Sequence, residues 1–396
     1  MSTYRPDVKL VMTMMVRDEA DIIASMIEHH LGQGVDLFIV TDNGSVDGTT
    51  EILQEYEARG VLELRHDPVH RKQQGETVTS MAREAYTRHG ADWVLNADAD
   101  EFWVTAGGTL TLREAFARIP KSLVCFTVPV IDMIGDPSLS GTGLHRLTYR
   151  DLRSAPQLRA IGLHAHATPD TPHIGDPSVV VAQGNHFVNL TSGGRPPAEL
   201  EIEVLHYPWR SWYQFSRKVE NAGRAYESQT GLTPSPNHHG MRDYRRLLSG
   251  TLPAHYMLRH PTRDELRAGL ESGAFVREDR IAAEQLPALP DVPLLAVQDV
   301  AKPTVERVLG SLELAFRESG ALIVALEDTA RDEARAFEAR IHEEQQERVR
   351  LQAEVVHERA STARVQAELE AQRNRLVVRL IDGAAVRARK IRGRAR

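Results

Sequence analysis

Cysteine is almost absent: Cys125 is the single one in 396 residues, so no intramolecular disulfide framework exists. Its setting, the apolar run LVCFTV, suits a small buried hydrophobe rather than a nucleophile. Such poverty in cysteine is expected of a reducing, cytoplasmic setting. Long apolar runs are missing as well. No window reaches about 18 consecutive apolar residues, so no membrane-spanning helix is expected. The N-terminus, MSTYRPDVKLVMTMMVRDEAD, lacks the basic-then-apolar order of a secretory leader. A net charge of −7 argues against bulk attraction to nucleic acid. The glycines of GTGLHR have neither the preceding strand nor the following helix of a dinucleotide loop. His164 and His166, in GLHAHATP, lack thiol partners and a third patterned ligand for zinc, as does PNHHG.

What is present is ordinary globular material, 41% hydrophobic and 26% charged, enough for a sizeable core. The first 130 residues alternate between strand and helix periods. VKLVMTMMV reads as a strand buried on both faces, EADIIASMIEHHLGQG as a helix with glycines at its end, and VDLFIVTDNG as a second strand. VDGTTEILQEYEARG, VLELRHD, ETVTSMAREAYTRHG and ADWVLNAD continue the alternation. This pattern predicts an α/β fold with a mostly parallel sheet flanked by helices. In such sheets ligands bind beyond the carboxyl ends of the strands, and VRDE, TDNGS and DADE all fall there.

From 131 to 200 the pattern loosens into Gly-, Pro- and His-rich segments. LEIEVLHYPW then reads as a strand running into a turn, and SWYQFSRKVENAGRAYES as an amphipathic helix. The expected organisation is a first domain over 1–230 and a mostly helical region over 231–318. A long helix over 319–382 and a basic tail over 383–396 would follow. Ala321 to Asp382 contains no glycine or proline. Apolar pairs recur in alternate heptads (Phe337/Ile341, Leu351/Val355, Val365/Leu369), the pattern of a weak coiled coil through which the chain would form homo-oligomers. The last 26 residues carry nine Lys or Arg against one Asp. Interleaved with Leu, Val and Ile, they would allow peripheral contact with an anionic membrane, or form a solvated basic end.

NADADEFW places Asp98, Asp100 and Glu101 within four residues at the end of an apolar strand. An isolated Asp-x-Asp is a common triplet that caps turns. Three polar strand ends side by side instead fit a divalent cation, which takes one or two carboxylates together with substrate phosphates.

VMTMMVRDEADII, FIVTDNGSVDGTTEIL and ADWVLNADADEFW, in this order, resemble the family 2 glycosyltransferases, particularly a bacterial subgroup with DADEF. LHYPWRSWYQFSRK is similar to a His-Tyr…Ser…Phe…Lys signature of that subgroup and of the related family 92. The resemblance spans roughly residues 8 to 225. It implies a GT-A fold, a nucleotide-diphosphate-sugar donor, a divalent metal (Mn²⁺ or Mg²⁺) and inversion at the anomeric carbon. It also implies that Asp98 contacts the donor and joins Asp100 and His206 at the metal, and that Asp42, after Thr41, lies in the nucleoside turn. Arg17 and Glu19 would flank the nucleotide, while Lys218 and Arg210 would neutralise diphosphate. Arg71 and Lys72 are further cations beside the site.

The acceptor, a glycan, lipid-linked or small molecule, must lose a proton to a base. Glu101, His186 and Asp176 are the candidates. Other classes are weaker. A phosphatase of the haloacid-dehalogenase type needs its nucleophile on the first strand, which ends in MMVRDE. A nucleotidyltransferase needs an N-terminal Gly-rich loop. A non-catalytic scaffold serving the helical tail would have no use for Asp98, Asp100 and His206 together.

Overall fold

The computed structural model describes residues 7–68, 74–163, 166–227, 239–294 and parts of 319–369. The chain begins with β1 (Leu10–Val16), α1 (Ile23–Gly32), β2 (Leu37–Asp42), α2 (Thr49–Ala58), β3 (Leu62–His66), α3 (Gln74–Thr87) and β4 (Trp93–Asn96). Next come β5 (Glu101–Thr105), α4 (Leu112–Phe116), β6 (Val130–Ile134), β7 (Ser138–Ser140), β8 (Tyr149–Asp151), α5 (Ala155–Ala160) and β9 (His173–Ile174). β10 (Ile202–His206) and α6 (Trp212–Glu227) follow, then α7 (His239–Leu248), α8 (Leu252–Arg259), α9 (Arg263–Ser272), β11 (Phe275–Arg277), α10 (Arg280–Ala283) and β12 (Val292–Pro293).

β3, β2, β1 and β4 form a parallel sheet in that order, edged by antiparallel β9. The run LVMTMMV is buried on both faces because helices cover both. Met12, Met14 and Val16 pack with residues of α1, whereas Val11, Ile39 and Val94 pack against Val78, Met81 and Ala82 of α3. Thr13 is the polar exception; its Oγ1 donates to Asn96 Oδ1 across β1 and β4 at 2.7 Å. The chain runs outward from β1 to β2 and β3, then returns through α3 to place β4 on the other side of β1. This reversal makes a topological switch point between β1 and β4, where the strand ends splay and leave a crevice.

A second sheet, in the order β11-β8-β6-β10-β5, contains the expected strand β10 but draws β6 and β8 from the stretch expected as loops over 131–200. Its strands are three to five residues long. β10 sets the functional register: His206 lies opposite Glu101 on antiparallel β5 and opposite Asp132 on parallel β6.

Chain contacts divide the molecule into two compact units, residues 1–326 and 327–396. Within the second, the described residues are helical. Most of the expected helix beyond residue 351 and all of the basic tail lie outside the described residues. Among the described residues no helix is long and apolar enough to cross a membrane.

Candidate functional site

The acid turn sits where β4 leaves the first sheet and β5 enters the second. Glu101 builds it: Oε2 accepts from the Asp98 amide at 2.8 Å, and the Glu101 amide donates to Asp98 O at 3.2 Å. Asp98 is fixed sideways, its Oδ1 accepting from Gln74 Nε2 (3.1 Å) and Asn185 Nδ2 (3.0 Å). Burial raises Asp98 above its ordinary range, with Lys218 opposing and the Asp100 charge reinforcing. Glu101 is pushed well above the carboxylate range by burial and by the charges of Asp170 and Asp98.

Asp100 is fully buried and faces cations. Lys218 Nζ, on α6, donates to Oδ2 at 2.6 Å, and Arg210 Nη1 is 3.7 Å from the same oxygen. Burial pushes Asp100 up, but Lys218, His206 and Arg210 outweigh it and hold the carboxyl well below its usual range. Its other oxygen, Oδ1, is buried without a hydrogen-bond partner. His206 brings Nε2 to 3.9 Å from Asp100 Oδ2, while its Nδ1 lies 2.9 Å from Asp132 Oδ1. Burial lowers His206, but the bond to Asp132 and the Asp100 charge dominate and raise it to about 9. Asp132 also holds His166, 3.1 Å from Nδ1.

Arg210 ties this centre to the end of β1. Its guanidinium is wholly buried and forks onto Asp21, with Nε at 2.6 Å and Nη2 at 2.8 Å, while Nη2 also meets Glu19. Burial raises Glu19 to about 7 against the pull of Arg210 and Lys218. Asp18, between them, adopts φ 57, an uncommon backbone for a residue with a side chain. Its carboxylate accepts from Val46 N at 2.8 Å and Asn221 Nδ2 at 2.8 Å, and pairs with Arg217 at 3.1 Å. The loops after β1 and β2 are thus fastened to α6. Arg17 Nη1 donates to Asn43 O at 2.7 Å in the same seam.

The structure therefore brings together Glu19, Asp98, Asp100, His206 and Lys218, drawn from separate segments of the chain, while Arg17 bonds within the seam of the loops after β1 and β2. Asp42 has both oxygens engaged, with Ser45 (3.0 Å from N and 2.6 Å from Oγ) and with Thr50 at 2.5 Å, so it shapes the turn after β2. Thr41 is turned into the α3 face, with Oγ1 on Met81 Sδ at 3.1 Å. Asp176 lies apart from these residues. It follows β9, whose antiparallel pairing with β4 carries the chain to the amino end of the sheet, where Gly175 N reaches Asp92 O. There its Oδ1 caps Ser178 at 2.7 Å. Asp176 as an acceptor base is thereby corrected. Arg71, Lys72 and His164 lie outside the described residues. Sequence reading missed Asp132, Asp170, Gln74, Asn185 and Asp21.

Among the described residues no three carboxylate, imidazole or thiol side chains form a metal-holding group. Asp98 is already engaged, which separates it from the expected ligand trio. Asp100 and His206 do fit a two-ligand site. One offers a bare buried oxygen, and the other a ring nitrogen opposite a carboxylate-held Nδ1, the usual outer partner of a metal-binding histidine. Two protein ligands suit a hard cation that arrives with phosphates.

Among curated proteins none matches this sequence. Solved structures overlap it weakly. S. aureus TarS 1-349 is 13% identical, covering 63% of this chain and 72% of that one, with a TM-score of 0.33. The same fragment in complex with UDP-GlcNAc is 12% identical over 67% and 76%, also at 0.33. The mannose-1-phosphate geranyltransferase of Thermus thermophilus is 13% identical over 71% and 76%, at 0.24. Scores this low leave the family match and the site geometry as the ground for function. Residues 11–124, from β1 through the acid turn and β5 to the segment before β6, match the model of glycosyltransferase family 92.

Proposed function

We propose that the protein transfers a sugar, with inversion, from a nucleotide-diphosphate sugar to a hydroxyl of a glycan, lipid-linked or small-molecule acceptor. The observation that carries this reading is Asp100 at the switch point: a buried carboxylate with one free oxygen, ringed by Lys218, Arg210 and His206. A carboxylate alone would repel a diphosphate; this one is embedded in cations that attract it. Asp100 and His206 would hold a Mg²⁺ or Mn²⁺ ion. Such an ion, when bound, supplies Lewis-acid neutralisation of the departing diphosphate.

The chain's own groups do the rest. Arg210 and Lys218 present N–H donors toward the position where phosphate charge grows. Asp132 orients the His206 ring. Gln74 and Asn185 keep Asp98 aimed at the donor, and Glu101 keeps the turn closed. Within the glycosyltransferases we place the chain beside the family 2 enzymes carrying DADEF, whose motif order it resembles. A cytoplasmic enzyme, paired through the C-terminal helix and touching membrane through the basic tail, completes the proposal.

The test is a thermal-shift screen of UDP-, GDP-, CMP- and dTDP-sugars with and without Mn²⁺. At a ligand concentration of about 100 Kd the stabilisation is about 2.7 kcal/mol. The expected outcome is a shift for one nucleotide class, larger with Mn²⁺ and lost in Asp100→Asn. A chain that responds to no nucleotide under either condition would overturn the proposal.

A further inference from the structure

The acid turn is roofed by a loop of which the donor reading uses Asn185 alone. Val181 and Val188 pair as an isolated antiparallel bridge, and Ala182 N donates to Phe187 O at 2.8 Å, closing a hairpin tip. At that tip Asn185 adopts φ 64 and donates to Asp98 Oδ1 at 3.0 Å, fastening the loop to the donor carboxylate. His186 comes next. Its carbonyl accepts from Thr171 Oγ1 at 2.7 Å, and its Nδ1 lies 3.0 Å from Asp170 Oδ1. The Asp170 side chain is wholly buried, whereas that of His186 is 28% exposed. Asp170 is itself held by two backbone bonds to Val128, at 2.8 and 2.9 Å. Among the described residues no hydrogen bond engages His186 Nε2, the nitrogen left on the open side. Beside it the Phe187 ring is 63% exposed, a flat apolar surface of the kind on which a sugar face rests.

We propose that His186 is the general base of the transfer and Asp170 the positioning residue that fixes its ring and tautomer. This inference rests on the sugar-transfer reading above. The acceptor hydroxyl gives its proton to His186 Nε2 while its oxygen bonds to the anomeric carbon of the donor. The bond from that carbon to the diphosphate oxygen breaks, and its electron pair leaves with the nucleoside diphosphate. The proton then passes from His186 to water. The balance is donor plus acceptor giving glycoside, nucleoside diphosphate and one proton, with no change of oxidation state.

Geometry removes the rivals. Glu101 is spent on its own turn, and Asp176 lies at the other end of the sheet. The dyad must have the right tautomer to work: ionised Asp170 accepts from Nδ1–H and leaves Nε2 bare, whereas protonated Asp170 donates to Nδ1 and puts the hydrogen on Nε2. The titratable groups facing the pair are Asp98, Glu101 and His206. Burial and Asp98 raise Asp170 to about 8, so the working tautomer grows as pH rises through that value.

The experiment uses the full chain with UDP-glucose, UDP-N-acetylglucosamine and GDP-mannose as donors and water as acceptor, following nucleoside diphosphate release. Calorimetry with UDP or GDP and Mn²⁺ runs alongside. His186→Ala is expected to lose at least about 100-fold in kcat and to bind the diphosphate within about twofold of the parent. Asp170→Asn is expected to lose about 10-fold or more in kcat with little change in KM. It should also lose the parent's climb in kcat/KM through pH 8, a change that a merely structural role would not produce. A His186→Ala rate within about tenfold of the parent would overturn the assignment while leaving the donor reading intact. Loss of diphosphate binding in that variant would do the same, making His186 a donor contact. If the parent binds no nucleoside diphosphate, both readings fall.

Discussion

Replacing Arg210 with methionine removes one buried cation while keeping most of the side chain's length. Arg210 has no exposed surface and is the common partner of Asp21, Glu19 and Asp100, on β1's exit loop and the acid turn. Removing one member of a buried ion pair costs about 3–5 kcal/mol, because the remaining charge stays buried and uncompensated. For the unit of residues 1–326, with an unfolding entropy of about 0.7 kcal/mol/K, that is a fall of roughly 4–7 °C in Tm. A charge origin also fixes the pH dependence. Glu19 titrates near 7 with Arg210 present, and its pKa must rise further once the guanidinium is gone. Above both values the Arg210–Glu19 attraction contributes fully; as pH falls through them Glu19 takes up a proton in either protein and the contribution fades. Urea unfolding of Arg210→Met at pH 7.5 and 5.5 should therefore show a deficit smaller by up to about 0.8 kcal/mol at the lower pH. Arg210→Lys should fall between, retaining charge but not the fork. Equal deficits at the two pH values would refute the electrostatic account and leave lost packing as the cause.

Asp132→Asn removes the anion that helps hold His206 near 9. A histidine raised above its unfolded value of about 6.5 contributes stability that is fully present below that value and lost as pH rises through 9. The variant should be weaker by about 2–3 kcal/mol at pH 6, with the gap closing by pH 9.5; chemical denaturation across that range checks it, and a gap that widens with pH counts against it. Gly175→Ala would place a Cβ 2.2 Å from the Ala91 carbonyl oxygen and 2.6 Å from the Tyr86 ring. Overpacking of this kind costs about 1–3 kcal/mol, seen as a lower urea midpoint, with nucleotide affinity unchanged because the contact lies at the amino end of the sheet.

The first half of the fold was legible because long elements carry their periods plainly. LVMTMMV has room to show that both faces are apolar, and the turn after each strand fixes where the ligand edge lies. The resemblance to the glycosyltransferases, rather than periodicity, put Asp100, His206 and Lys218 in one site from distant motifs. In the second sheet β10 was legible in LEIEVLHYPW, whereas β6, β8 and β11 were hidden as strands of three to five residues among loop-like glycines. Asp132 and Asp170 were hidden for a different reason: each looks like any other aspartate until the sheet register sets it beside a histidine. Asp176 was one of three candidate bases, but antiparallel β9 sends it to the far end of the sheet. Arg210, in contrast, was read as a phosphate contact, and its tie to Asp21 and Glu19 could only come from folding.

The turn between Asn96 and Glu101 has a consequence for how this protein can vary. It is the link by which β4 of one sheet hands the chain to β5 of the other, and both neighbouring strands are fully buried. Adding or deleting one residue there would rotate Phe102 and Trp103 out of their packing and break the alignment of Glu101 with His206. The spacing of the three carboxylates is thus a gauge length between two sheets as much as a chemical motif. Loops elsewhere around the crevice are free to lengthen and reshape the acceptor side, while this one is held to a fixed count of residues.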